Sequence, residues 1–162
     1  SEREVTATYS LPIGSLNMFN QFVCDIIPTR QELQSIRAYA YSLLKKIQLP
    51  VNKLPTNALC GVGGTARAVC KLNDELFNTE SGYQGFKCGR FKKIFKLLKT
   101  EREKLVSSII KTSPDRIHTL LPGLAILNAV SDFYGCTDFS ASPYGVREGY
   151  LIYMLEGGEF HA

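Results

Sequence analysis

Residues 57–69 read Asn57-Ala58-Leu59-Cys60-Gly61-Val62-Gly63-Gly64-Thr65-Ala66-Arg67-Ala68-Val69, and this order of residue types decides the fold class. An apolar run of strand length ends in closely spaced glycines. Small and helix-compatible residues follow at once. The spacing predicts a strand over 57–61, a glycine turn, and a helix with Thr65 at its N-cap. Val69, Leu72 and Leu76 extend that helix with an apolar face.

Working outward, the same signals recur. Upstream, residues 4–13 carry β-branched residues in partial alternation and read as a strand closed by Pro12 and Gly14. Leu16–Cys24 reads as a short buried helix. Thr29 and Glu32 form a capping box that opens a helix whose apolar face is Leu33, Ile36, Ala40, Leu43, Leu44 and Ile47. Residues 48–56 read as a loop. Downstream, 78–86 is a loop, and a helix follows with Phe91, Ile94, Phe95 and Leu98 inside. Thr100 and Glu103 suggest a second capping box, ahead of Leu105, Val106, Ile109 and Ile110. Ser113-Pro114-Asp115 is a further start signal. The apolar stretch Leu120–Phe133 has helical length, and Pro122-Gly123 within it predicts a kink, a fresh start or a close helix–helix approach. Residues 137–142 form a strand candidate. Pro143-Tyr144-Gly145 is a turn, and Val146–Leu155 a last helix, with a fraying tail after 156. The sum is an α/β fold: a small mixed sheet with several packed helices.

The bulk numbers set bounds. One hundred and sixty-two residues suffice for one domain with a real core, so 1–162 reads as a single domain. Hydrophobic residues at 44% against a net charge of +4 exclude a disordered chain. The cationic run Lys87, Arg90, Lys92, Lys93, Lys96 and Lys99 reads as a solvated helix face in preference to a phosphate or nucleic-acid patch. The five cysteines lack metal-ligand or C-x-x-C spacing and read as free thiols in a reducing compartment. His118, near a helix start, reads as structural. With no signal peptide and no run of 18 apolar residues, a soluble, cytoplasmic protein is expected. The start at Ser1 suggests either removal of Met or a piece of a longer protein.

Two glycine-bearing junctions could do chemistry. Gly63, Gly64 and Thr65 at a helix start could offer backbone amides and a hydroxyl to phosphate. The alternative is an ordinary tight turn. The stretch is neither G-x-x-x-x-G-K-[ST] nor G-x-G-x-x-G. Gly145-Val146-Arg147-Glu148-Gly149 lies at the second junction. There Arg147 could grip an oxyanion, while Glu148 could orient the helix. Arg116 is a third candidate, equally readable as part of a charged first turn. No paired carboxylates, Asp-x-Gly loop or Ser–His–Asp set is recognisable, so no catalytic residue is assigned.

Four segments resemble one family in its order. Ser10–Leu16 is similar to the strand ending after its second phosphate loop. Gly63-Gly64-Thr65 through Val69 resembles its G-G-T helix start. Leu121–Leu127 resembles the helix after its arginine segment, and Ser142–Gly149, ending Gly145-Val146-Arg147-Glu148-Gly149, resembles its G-L-R-E-G signature, with Val146 for Leu. The family is that of exopolyphosphatases and guanosine pentaphosphate phosphohydrolases, within the actin-like ATPase superfamily. The resemblance implies a ribonuclease H-like, actin-type lobe, namely the second, C-terminal lobe of a two-lobed enzyme. That enzyme would remove terminal phosphate from polyphosphate or pppGpp with a divalent metal such as Mg²⁺. The carboxylates and metal would belong to the first lobe, absent from this chain. Gly63, Gly64, Thr65, Arg67, Arg116, Gly145, Arg147 and Glu148 would line the substrate side. The face toward the missing lobe would be exposed and apolar, or would form a homodimer. No membrane or specific nucleic acid is implied. Ile117-His118-Thr119 departs from the family, which has an acidic residue soon after the arginine. A kinase-like nucleotide-binding lobe and a non-catalytic regulatory module stand as alternatives.

Overall fold

Two parallel strands give this chain its frame. The structure, a computed structural model, describes residues 7–47 and 57–156. Its strands are β1 (Ala58–Gly61), β2 (Phe86–Lys87) and β3 (Asp138–Ala141). Its helices are α1 (Ser15–Phe22), α2 (Arg30–Leu44), α3 (Gly64–Phe77), α4 (Gly89–Thr100), α5 (Arg102–Thr112), α6 (Leu120–Tyr134) and α7 (Val146–Leu155). The sheet order is β1-β3-β2. β1 lies parallel to β3 with Gly61 opposite Ala141, and β2 lies antiparallel to β3 with Phe86 opposite Phe139. A parallel pair needs a crossover, and the helices between β1 and β3 supply it.

The sheet alternates as a half-buried sheet should. Phe139 and Ala141 of β3 are buried, while Asp138 and Ser140 are partly exposed. Phe139 meets Phe86 and Phe91 with ring centroids 5.3 and 5.2 Å away, an aromatic knot that ties the central strand β3 and the edge strand β2 to α4. β2 was hidden in the expected 78–86 loop because it has only two residues. Gly85 before it has φ +92°, and an added Cβ would lie 1.7 Å from the Phe139 carbonyl oxygen, so only glycine fits.

The helices follow the sequence with local corrections. The α2 capping box forms as read: Thr29 Oγ1 accepts from the Glu32 amide at 3.2 Å, and Glu32 Oε2 accepts from the Thr29 amide at 2.7 Å. Leu33, Ile36, Ala40 and Leu44 face the core. The box expected at Thr100 and Glu103 is not made. Thr100 is still helical and its hydroxyl donates back to the Lys96 carbonyl, so Glu101 takes the N-cap of α5. Thr65 does not cap α3 either. Gly63, at φ +109°, turns the chain early and is itself the N-cap, leaving Thr65 inside the first turn. Residues 7–13 form no strand. Their backbone makes a tight turn, Ile13 N–H to the Leu11 carbonyl, instead of finding a sheet edge. Residues 4–6, the 48–56 loop and the tail after 156 lie outside the described residues. The cysteines are free; Cys70 and Cys88 are buried, Cys136 half-buried, and Cys24 and Cys60 exposed. His118 stacks edge-on against Phe19 at 5.1 Å, a packing role.

Helix α6 is the spine of the molecule. Leu120, Leu121, Leu124, Ala125 and Ala129 are buried, as an all-round apolar helix requires. Pro122 falls in its first turn, where proline is tolerated, so the helix is continuous. Gly123 provides the close approach: a Cβ there would lie 2.3 Å from Thr65 Cγ2 and 3.3 Å from Ser15 Cβ. Gly123→Ala is therefore expected to destabilise the protein by about 1–2 kcal/mol, overpacking outweighing alanine's better helix propensity. Thr65→Ser, which deletes the opposing methyl, should restore much of the loss. A double-mutant cycle by chemical denaturation checks this; simple additivity would show that the contact is not the cause.

Candidate functional site

Parallel pairing puts the C-terminal ends of β1 and β3 side by side. The Ser142 amide donates to the Gly61 carbonyl at 2.8 Å, so the two chains leave the sheet in contact. The first passes through Gly63 into α3, the second through Pro143-Tyr144-Gly145 into α7. Two helix N-termini thus open at one edge of the sheet. Each presents backbone N–H groups with no helical acceptor and the positive end of a helix dipole. Ligands of open α/β sheets bind at such strand ends.

Three arginines come from this region. Arg116, in the short turn Pro114–Arg116 ahead of α6, lays its guanidinium on Gly64: an added Cβ there would be 2.3 Å from Nη2 and 2.8 Å from Cζ. Its Nε lies 3.4 Å from Asp115 Oδ2, an exposed ion pair that leaves the rest of the fork for other acceptors. Arg67 lies one turn into α3, its amide bonded to the Gly63 carbonyl. Its Nη1 is buried and has no hydrogen-bond partner among the described residues. A buried donor left unpaired costs about 1–3 kcal/mol. Arg147, in the first turn of α7, is exposed.

Glu148 organises the second junction. Its Oε2 accepts the Gly145 amide at 2.7 Å, and its own backbone N–H also contributes. These amide bonds, followed by the pull of Arg67 and Arg147, hold its carboxyl below the ordinary glutamate range. Glu148 is thus an anionic helix cap tied to its own helix. Ser142 Oγ accepts the Tyr144 amide at 3.1 Å and shapes the turn before it.

The residues singled out from sequence therefore fall into three groups. Gly63, Gly64 and Arg116 meet at the α3 entrance. Gly145, Arg147 and Glu148 form the α7 entrance, with Arg67 linked to Glu148 electrostatically. Thr65 instead turns its methyl to Gly123 and packs. Ser142 opens the resembling segment without an assigned role there, and the turn geometry supplies one. Among the described residues, no group of three or more His, Cys, Asp or Glu could hold a metal ion. The donor set of amides and guanidinium groups fits an anion and does not fit a divalent cation.

The Ppx/GppA phosphatase family matches residues 1–157 of the chain. The chain belongs to this family. A relative from Haemophilus influenzae named "Putative exopolyphosphatase" is 26% identical over 145 residues, covering 89% of this chain and 43% of its own. A crystal structure of an Aquifex aeolicus Ppx/GppA family member superposes with a TM-score of 0.75 at 23% identity, over 96% of this chain and 51% of that one. The type II variant of the Aquifex aeolicus phosphatase gives 0.70 at 25% identity, over 92% and 49%. The chain spans about half the length of these relatives. Its mixed α/β architecture is that of the Ppx/GppA fold, and no helix among the described residues is long and apolar enough to cross a membrane.

The Glu148 cap carries a pH signature. Its folded pKa lies below the unfolded value, so its stabilising effect is full above the unfolded pKa, about 4.3 for glutamate. The effect is lost as pH falls through the lower, folded value. A carboxyl-carbon NMR titration should find Glu148 titrating below an exposed reference glutamate. Glu148→Gln should lower stability near neutral pH, with the difference from wild type closing in acid. A pH-independent difference would remove the carboxylate from this role.

Proposed function

We propose that this chain is the substrate-side lobe of an exopolyphosphatase-type phosphohydrolase that releases terminal phosphate from linear polyphosphate or pppGpp. The observation that carries the reading is the pairing of two helix N-termini with the partnerless, buried Arg67 Nη1 beside them. A phosphate oxygen in the cleft would satisfy that donor and the free amides together. Arg116 and Arg147 would add charge from either side. Phosphoanhydride cleavage spreads negative charge over the transferred phosphoryl oxygens, and fixed amides and guanidinium groups stabilise it without reorganising.

The second requirement, a base that positions water, is not met by these residues. Glu148 is committed to amides. We assign the base and a divalent metal such as Mg²⁺ to carboxylates of a first lobe, which would place residues 1–162 as the second lobe of a two-lobed enzyme. Bound metal would supply charge neutralisation at the phosphates; this chain's part is to bind, align and shield them.

Helix α7 supports a two-lobed arrangement. Val146 and Leu155 are 82% and 87% exposed, and Tyr150, Leu151, Ile152, Tyr153 and Met154 are exposed between them. So many apolar side chains in water on one helix suit a surface covered by another body. The first lobe is our assignment, with a homodimer as the other arrangement. A second reading, a non-catalytic phosphate- or nucleotide-binding module, draws on the commitment of Glu148 and on Ile117-His118-Thr119, where the resemblance implied an acidic residue.

The two-lobed protein assayed with Mg²⁺ on polyphosphate, pppGpp and ATP decides between them. Phosphate release from either of the first two, and none from residues 1–162 alone, is expected. Binding without release by the two-lobed protein would select the regulatory module. Arg67→Ala and Arg116→Ala should each lower kcat/KM by about 10- to 100-fold, and Arg147→Ala should weaken phosphate binding. Unchanged kinetics in all three variants would remove the cleft from the reaction.

A further inference from the structure

A second basic feature lies away from the strand ends. Helices α2, α4 and α6 line a half-open cavity of about 580 Å³. Its lining is sorted by depth. Leu33 and Asn128 are buried and form the floor, with half-buried Phe95 beside them. Arg30, Lys96 and Lys99 are exposed and form the rim. The cationic run read from sequence as a solvated face therefore divides. Lys87 pairs with Asp138 at 2.7 Å, and the Arg90 guanidinium lies over the Phe77 ring at 4.2 Å. Lys92 joins Arg37 on Asp132 at the cavity wall, its Nζ 3.2 Å from Oδ1. Arg30, Lys96 and Lys99 have no carboxylate partner among the described residues, and all three converge on the cavity.

The floor carries an independent sign. Asn128 is 2% exposed, and its Nδ2 is buried with no hydrogen-bond partner among the described residues. Arg37 Nε, on the wall, is likewise buried and unpaired. Native interiors seldom leave such donors unmatched. Here both lie at one cavity, whose volume falls in the range of small-molecule sites.

We propose that this cavity binds a ring-bearing organic polyphosphate, a nucleotide-class ligand, at a site separate from the strand-end cleft. The division of chemistry selects the class. A planar, largely apolar body with an inward acceptor suits Leu33, Phe95 and the Asn128 amide. Phosphates suit the three unpaired rim cations. Inorganic polyphosphate would use the rim and leave the floor empty.

The proposal goes beyond the hydrolytic reading and does not depend on it. It is tested by titrating ¹⁵N-labelled protein with ATP, adenosine and tripolyphosphate. ATP is expected to shift the Asn128 side-chain amide and the α4 backbone near Lys96, and to bind more tightly than either fragment. Lys96→Gln/Lys99→Gln, both at exposed positions, should weaken ATP at this site by about tenfold or more. Arg116→Ala, in the other cleft, should leave it unchanged. No Asn128 shift with ATP up to about 1 mM, the weak limit of useful affinity, would overturn the proposal. So would tripolyphosphate binding as tightly as ATP, or a double variant that binds ATP like wild type.

Discussion

Parallel hydrogen bonding between β1 and β3 is the constraint on which the rest of the molecule depends. With Gly61 opposite Ala141, both strands end at the same edge and both following helices begin there. A four-residue strand is about 13 Å long, so antiparallel pairing would send one junction to the far side of the sheet. The N-termini of α3 and α7 could not then open side by side. The sheet is small because its task is narrow: it aligns two helix entrances. Its third strand needs only two residues, enough to seat Phe86 against Phe139 and anchor α4.

Helix α6 turns this edge into a supported site. Its first turn meets Thr65 through Gly123, which fixes the start of α3 from behind. The turn just before α6 delivers Arg116 onto Gly64 from another side. The absence of a side chain at both glycines is therefore structural in one case and electrostatic in the other. At Gly123 it brings two helices together. At Gly64 it brings a guanidinium against the backbone of a helix N-terminus. The same helix carries Asn128 and Asp132 further along, about 8 and 14 Å from Gly123. One buried rod thus braces the strand-end junctions and lines the basic cavity.

Strong local signals were legible in the sequence, and long-range ones were not. Thr29 and Glu32 forecast the start of α2 because both partners lie within four residues. The junctions at Gly63 and Gly145 were legible for the same reason. The N-cap at Thr65 was misplaced because Gly63 can adopt φ +109°, which the hydroxyl preference of caps does not anticipate. Residues 4–13 read as a strand from β-branched content, yet 7–13 form none, since a strand exists only where another edge accepts it. β2 escaped notice because its stability comes from Phe139, some fifty residues away in the chain. The lysine run showed its charge but not its partners. Asp132, Asp138 and Phe77 divide it into paired and unpaired members, and that division exists only in three dimensions.

The two surfaces proposed to bind anions would use cations differently, and the difference is energetic. At the strand ends the main donors are backbone amides, already immobile in helices, and guanidinium groups laid against the fold. Little rotamer freedom remains to be lost when charge develops nearby, which suits a transition state. At the cavity rim the cations are long, exposed side chains that lose freedom on gripping a ligand, and salt screens them. Such a rim serves reversible binding better than rate acceleration. Specificity there would come from the floor, where Asn128 offers a directed donor beside apolar Leu33 and Phe95. A hydrophobic pocket discriminates poorly by shape alone, whereas a buried donor penalises any ligand that leaves it unmatched.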